Sequence, residues 1–451
     1  MAKAPTASTP PPEVPIDQAL SLAVTGEHES ALRYAAALLE AEPRSALRLL
    51  LAAWMLGALG DAEAAKRGLI VAVERASDAG NLPLAVAAAC KLRDYGGDHE
   101  SALGQIAKVF ARGSSRLLDK RGAPPGLPAG ASDFSPLADA LKGKALLEKA
   151  NALLDAACQS FADDRAKDPP PKVHPQALFS SLDENGLRAM TEIFDARIVA
   201  RGVTLVEEGS VGDEAFIVAR GELDVRKAAS KADAPPIALA RLGSGALFGE
   251  MALLSRAPRT ATVISALPSV LLVAKKADLD RVVGKVPSVG REFAEYCRRR
   301  MLDNLVRTNF ILGAATPAER PALVERFSIR TFEAGDKIVT QGSQAEGLYL
   351  IALGEVAIVH EADGETTIVA KLGPGEVVGE VALVLRRPAI TNVVAHHPTV
   401  TLFLPRERLM ELVKAHPKVF VDLYELAVRR DEEPSTMAAE EAAETAAFVL
   451  V

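Results

Sequence analysis

Residues 248–263, FGEMALLSRAPRTATV, set one carboxylate and one guanidinium nine positions apart, with small and apolar residues between them. A short helix starting just after Gly249 would direct unpaired backbone N–H groups at whatever lies before it, a geometry that favours an anion. Gly249 has no side chain to obstruct close approach. Arg259 brings a permanent charge and a fork of donors matched to phosphate oxygens. Glu250 would repel a phosphate, but it suits a neighbouring hydroxyl donor such as a ribose 2′-OH. Phosphate, adjacent hydroxyl and apolar surroundings describe a nucleotide whose phosphate is held compactly against its sugar. Spacing alone does not separate a cyclic nucleotide from another sugar phosphate.

The elements that must position these groups are legible along the chain. A length of 451 residues, 49% hydrophobic and 25% charged, fits a globular protein of about three domains. Residues 16–112 are rich in alanine and leucine, with breaks at glycine and proline, and read as helical. A phrase recurs there: GEHESAL from Gly26, GDAEAAK from Gly60 and GDHESAL from Gly97, at separations of 34 and 37 residues. Such periods mark stacked helical hairpins. A Pro/Gly-rich stretch at 122–131, a helical pattern over 136–164 and the proline run DPPPKVHP at 168–175 lead to a change of character. Beyond 175, short alternating apolar segments with glycine turns predict many short strands closing into a roll. That pattern occurs twice. Gly209 and Gly221 recur 133 residues on as Gly342 and Gly354, and Gly249 and Pro287 recur 130 residues on as Gly379 and Pro417. The three-residue difference falls in the hairpin KAASKADAPP, where insertions cost least.

FGEMALLSRAPRTAT resembles the phosphate-binding cassette of the cyclic-nucleotide-binding domain family, whose pattern is Gly-Glu-apolar-Ala-Leu, a short helix, then Pro-Arg-small-Ala. Gly249, Glu250, Met251, Ala252, Leu253, Pro258, Arg259, Thr260 and Ala261 fit it. The resemblance implies that Glu250 accepts from the ribose 2′-OH and that Arg259 pairs with the cyclic phosphate. Backbone N–H groups around Met251, Ala252 and Ala261 would complete the cradle. Asp213 would orient Arg259 from behind, or serve as a turn residue satisfying local N–H groups. A hydroxyl at Thr260 can donate to phosphate or contact a guanine amino group, so cAMP and cGMP both stay open. The first repeat, with Gly26, Ala31 and Pro43, is similar to a tetratricopeptide repeat. The fold class expected is α+β multidomain: all-α helical-hairpin repeats, then two tandem jelly-roll-like β-rolls with flanking helices. Its parts are a disordered tail (1–15), the repeats (16–112), a linker (113–175), a first nucleotide domain (176–308), a degenerate second one (309–430) and an acidic tail (431–451).

The second copy, VGEVALVLRRPAITNV, keeps Gly379, Glu380, Val381, Ala382 and Leu383, but Ala389 stands where the first has Arg259. Arg386 and Arg387 lie ahead of Pro388 and could enter only by a register shift. Losing one charge-assisted bond costs about 1.5–3 kcal/mol, or roughly ten- to a hundredfold in affinity. The second roll is therefore expected to bind cyclic nucleotide weakly or not at all.

Other chemistry is sparse. His396–His397 has no further metal ligand nearby in the sequence, so no metal site is expected. No Ser-His-Asp set, P-loop, kinase catalytic loop or HExxH motif is present, and no enzyme is expected. A net charge of −7 gives no case for nucleic acid. Three scattered cysteines, no secretory signal and no apolar run of membrane-spanning length leave cytoplasmic residence by default. The function expected is a regulatory or adaptor protein without a cofactor. Its first roll takes cAMP or cGMP and repositions helices that alter a protein partner's binding to the repeats. Two alternatives are a ligand-free scaffold and the regulatory subunit of a separate kinase.

Overall fold

The computed structural model describes residues 14–119, 134–227, 235–254, 258–314, 316, 318–362 and 365–431. The expected tails (1–15 apart from Val14 and Pro15, and 431–451 apart from Asp431) and the 122–131 loop lie outside them.

Six helices open the chain: α1 (Pro15–Val24), α2 (His28–Ala41), α3 (Ala46–Ala58), α4 (Ala62–Asp78), α5 (Leu82–Asp94) and α6 (His99–Phe110). Each helix packs against the next. Side chains that accept from free N–H groups start four of them: Ser45, Asp61, Asn81 and Asp98 bond the N–H groups of Arg48, Ala64, Leu84 and Ser101. The recurrent alanines Ala31, Ala65 and Ala102 are buried, which lets helix backbones approach. Gly26 and Gly60 end their helices with φ of 82° and 94°. In the third phrase Gly96, not Gly97, takes that role, with φ 72°. Gly97 is needed for space instead, since a Cβ there would lie 2.2 Å from Leu92 Cδ1.

The helix expected over 136–164 occupies α7 (Gly143–Lys167). Its intended first turns are drawn out to Arg33, whose backbone carbonyl accepts from the Leu137 N–H and whose guanidinium takes the Leu141 carbonyl. α7 packs on α2, α3 and α4. Gly68 permits this, because a Cβ there would sit 2.7 Å from Leu154 Cδ1.

After a 3-10 turn (Phe179–Ser181) and α8 (Glu184–Glu192) comes the first roll. Its strands are β1 (Asp195–Val199), β2 (Thr204–Val206), β3 (Glu214–Arg220), β4 (Leu223–Lys227), β5 (Ile237–Leu242), β6 (Leu247–Phe248), β7 (Thr262–Ser265) and β8 (Ser269–Lys275). The short helix α9 (Met251–Leu254) interrupts them, and α10 (Lys276–Lys285) and α11 (Pro287–Thr308) follow. Two antiparallel four-stranded sheets result, in the orders β1-β8-β3-β6 and β2-β7-β4-β5. Phe216 stacks on Phe248 at 5.0 Å in the core between them.

The second roll has α12 (Phe310–Gly313) and α13 (Arg320–Val324) before it. Its strands are β9 (Ser328–Phe332), β10 (Lys337–Val339), β11 (Gly347–Leu353), β12 (Val356–Ala362), β13 (Glu365–Leu372), β14 (Val377–Val378), β15 (Asn392–Ala395) and β16 (Thr399–Pro405). The sheets repeat the first roll strand for strand, as β9-β16-β11-β14 and β10-β15-β12-β13. α14 (Glu380–Val384) holds the place of α9, and α15 (Arg406–Ala415) precedes a helical segment at 417–431.

The N-terminal helices and the first roll form one compact unit that ends at Tyr296, and a second begins at Cys297. Within the first, α1 and α5 cover the outer face of the β1-β8-β3 sheet. This is why β3 is buried from Ala215 through Arg220 without alternation. Arg93 reaches from α5 to the Asp195 carboxylate at 2.6 Å, and Cys90 Sγ lies 3.1 Å from the Phe194 carbonyl. Burial pushes the Cys90 thiol up to about 12. Asp17 of α1 pairs with Arg220 at the end of β3, both buried, and Arg220 also donates to the Pro268 carbonyl at 2.6 Å.

Removing one member of a buried ion pair leaves the other charge without compensation, typically at a cost of about 3–5 kcal/mol. Asp17→Ala should destabilise the first unit by that order, and adding Arg220→Met should recover most of it. Urea unfolding read at the single tryptophan, Trp54, measures both.

Candidate functional site

In the first roll, Arg259 is 9% exposed. Its backbone is fixed by the loop before β3: Arg259 N–H donates to the Ser210 carbonyl at 2.8 Å, and Gly209 N–H donates to the Arg259 carbonyl at 2.8 Å. Its guanidinium donates from Nη1 to the Gly249 carbonyl (2.8 Å) and from Nη2 to the Glu214 carbonyl (2.6 Å). Two glycines make room for it. A Cβ on Gly249, whose φ is 73°, would stand 2.7 Å from Nη1, and one on Gly212 would stand 2.5 Å from Nη2. Burial draws the Arg259 pKa down, and the charges of Glu250, Asp213 and Glu214 oppose that shift.

Glu250 is buried at the start of α9, next to Gly249, and Met251 is half-buried. Ala252 is the second residue of α9. Thr260 is exposed and Ala261 half-buried, immediately ahead of β7. Asp213 is exposed; its carbonyl accepts the Lys276 N–H at 2.7 Å, and its side chain acts on Arg259 through charge. A cleft of about 350 Å³ opens on Arg259, with Thr204, Gly212, Asp213, Glu214 and Phe216 on its wall. Glu250 and α9 are not part of that wall.

The second roll keeps the frame and changes the charge. Ala389 N–H donates to the Ser343 carbonyl (2.9 Å) and Gly342 N–H to the Ala389 carbonyl (2.7 Å), the bonds that Arg259 makes in the first roll. Register is thus retained, and Ala389 contributes a methyl group to the core. Neither upstream arginine replaces the missing guanidinium. Arg386 takes a left-handed φ of 53°, and Arg387 pairs with Asp431. Gly379 also has a left-handed φ, 87°, and a Cβ there would lie 2.9 Å from the Gly347 carbonyl. Val381 and Ala382 follow Glu380 on α14.

The cation beside Glu380 comes from Arg430, in the segment 417–431. Its Nη1 donates to Glu380 Oε1 (2.8 Å) and to the Val377 carbonyl (2.6 Å). Burial pushes the fully enclosed Glu380 carboxyl up, and Arg430 pulls it back. Together with Gly379, Glu380, Ala382 and Ala389, Arg430 walls a cavity of about 80 Å³. Sequence reasoning missed Arg430, which lies 50 residues from Glu380 with no spacing to mark it. It also missed a third potential ligand beside His396 and His397. Glu355 lies with them in space, across 41 positions of sequence, which corrects the expectation that no other ligand clusters there.

Residues 196–285 and 329–416 match the cyclic nucleotide-binding domain family. A cAMP-dependent protein kinase regulatory subunit of Mucor circinelloides f. lusitanicus is 31% identical over 219 residues, 49% of this chain and 48% of that protein. The protein of the same name from Hypocrea atroviridis is 33% identical over 224 residues, 48% of this chain and 46% of that protein. The chain spans about half the length of the curated relatives it matches. Among solved structures, the regulatory domain of Toxoplasma gondii PKA crystallised with cAMP is 27% identical, covering 56% of this chain and 93% of that one, with a TM-score of 0.27. The chain thus carries two tandem cyclic nucleotide-binding domains, homologous to those of kinase regulatory subunits. No helix among the described residues is long and apolar enough to cross a membrane.

Replacing Arg430 with Met leaves only burial acting on Glu380, so its folded-state pKa rises further. A carboxyl with a raised folded pKa loses stability as pH climbs from its unfolded value, about 4.3. Arg430→Met should therefore weaken the second roll by about 3–5 kcal/mol near neutrality, with the defect shrinking toward pH 4. Glu380→Gln in the same chain should flatten that pH dependence. Urea unfolding across pH, with hydrogen exchange at 377–384 to assign the transition, measures it.

Proposed function

We propose that these tandem domains make the chain a non-enzymatic regulatory protein in which only the first roll takes a cyclic nucleotide, cAMP or cGMP. The observation that supports this most directly is the pairing of a buried guanidinium, Arg259, with the buried carboxylate of Glu250 at the mouth of α9. Arg259 is pre-oriented by two backbone carbonyls that satisfy only part of its donor fork. The remaining donors suit a cyclic phosphate. Glu250 would accept the ribose 2′-OH, and N–H groups around Met251, Ala252 and Ala261 would complete the cradle.

The response would travel along β3. This strand begins at Glu214, whose carbonyl holds Arg259, and ends at Arg220, paired with Asp17 of the helical layer. A ligand that draws Arg259 toward its phosphate alters the load at one end of a strand whose other end carries α1. Such a ligand shifts the equilibrium only by its differential affinity for the two arrangements. The output is a change in what the N-terminal helices bind. The naming of the relatives favours a more specific second reading, in which the partner is a protein kinase catalytic chain. In the second roll Arg430 already occupies Glu380, which supports a structural role there.

Calorimetry of the full chain with cAMP and with cGMP tests this. One equivalent should bind, and Arg259→Ala should weaken it at least about ten- to a hundredfold. Arg430→Ala should leave the affinity of the first roll unchanged. Two equivalents of similar affinity, or binding indifferent to Arg259, would refute the proposal.

A further inference from the structure

A second kind of site lies at the opposite chemistry from a phosphate cradle. The turn between β11 and β12 presents Glu355, and the turn between β15 and β16 presents His396 and His397. One ligating atom from each of the three lies within 4.8 Å of the others. Their backbones are tied together as well. The Glu355 carbonyl accepts from the His396 N–H (2.9 Å), the His397 N–H (3.3 Å) and Thr399 Oγ1 (3.2 Å). Gly354 allows this approach, because a Cβ there would lie 2.5 Å from the Pro398 carbonyl. The cluster is thus set by the fold and not by chance meetings of long side chains.

A cation already sits among these groups. The Lys371 ammonium lies 2.8 Å from His396 Nε2 and 3.3 Å from Glu355 Oε1. It is carried on a flexible, half-exposed stem and can swing into solvent.

The first roll supplies an internal comparison. There the Ala266 and Leu267 N–H groups donate to the Glu222 carbonyl at 2.9 and 3.3 Å, and Arg241 lies 3.4 Å from the Glu222 carboxylate. The frame, the carboxylate and the neighbouring cation are shared. The two imidazoles belong to the second roll alone, and the shared frame does not require them.

We propose that Glu355, His396 and His397 form a binding site for a borderline divalent metal ion of the zinc class, entered by displacement of the Lys371 ammonium. Two imidazoles and one carboxylate are a donor set that such ions favour, and they leave a coordination position open. Metal–ligand bonds of about 2.0–2.2 Å bring tetrahedral donors to roughly 3.4 Å apart, a contraction that side-chain torsions can supply. A bound ion would fasten the two turns together.

The test uses the tag-free full chain dialysed against Zn²⁺ at neutral pH. The double variant His396→Ala/His397→Leu installs the side chains that the first roll carries in the same frame, so folding is expected to survive, and circular dichroism checks it. Wild type should retain one more equivalent of zinc than this variant. Glu355→Gln should weaken retention at least tenfold, and Lys371→Met should tighten it several-fold by removing the competing ammonium. Equal zinc content in wild type and a folded double variant would overturn the proposal, as would weaker binding in Lys371→Met.

Discussion

A carboxylate buried at the first residue of a short helix has to be met by a positive charge, because an isolated ion in a low-dielectric interior is too costly to keep. Glu250 and Glu380 both impose this demand. Each sits behind a left-handed glycine that brings a neighbouring carbonyl close, and each begins a helix of four or five residues. The rolls differ in where the answering guanidinium originates. In the first it comes from the same loop, Arg259, clamped by carbonyls that also fix the mouth of the helix. In the second it comes from the far end of the chain, Arg430, through a helix laid over the pocket. The first arrangement leaves a charge facing a cleft, and the second uses the charge to hold a lid of the chain's own making.

That difference gives the rolls different relations to their surroundings. The first is wrapped on its outer face by α1 and α5, with Asp17–Arg220 as the buried electrostatic contact and Arg93 bridging to Asp195. Here β3 serves two masters: its first residue supports the proposed ligand site and its last is bound to the helical layer. Rigid strands transmit small displacements well because packed interiors are nearly incompressible. The proposed signalling route needs no residue outside that strand and its two ends.

Much of this was readable in the sequence, and the exceptions have a common cause. The twofold repeat was legible because identical topologies need glycines at the same turns, and Gly209, Gly221 and Gly249 recur at fixed separations. The cassette was legible because phosphate chemistry compresses its residues into one short stretch. By contrast, Arg430 and Glu355 act across 50 and 41 residues, distances over which sequence spacing carries no geometric information. Gly96 and Gly97 exchanged roles because two adjacent glycines satisfy the same turn rule, and only contact with Leu92 separates them. The start of α7 moved because Arg33, more than a hundred residues earlier, claims the carbonyl of Leu141.

The layering of the first unit also limits what can be borrowed from it. Because β3 and β8 are buried on both faces, a sensor engineer who lifted out the first roll as an exchangeable cassette would strip one side of its sheet to bare hydrocarbon and strand Arg220 without its anion. The transferable module has to include α1 and α5, and so the receptor and the surface that reports on it have to be moved as one piece.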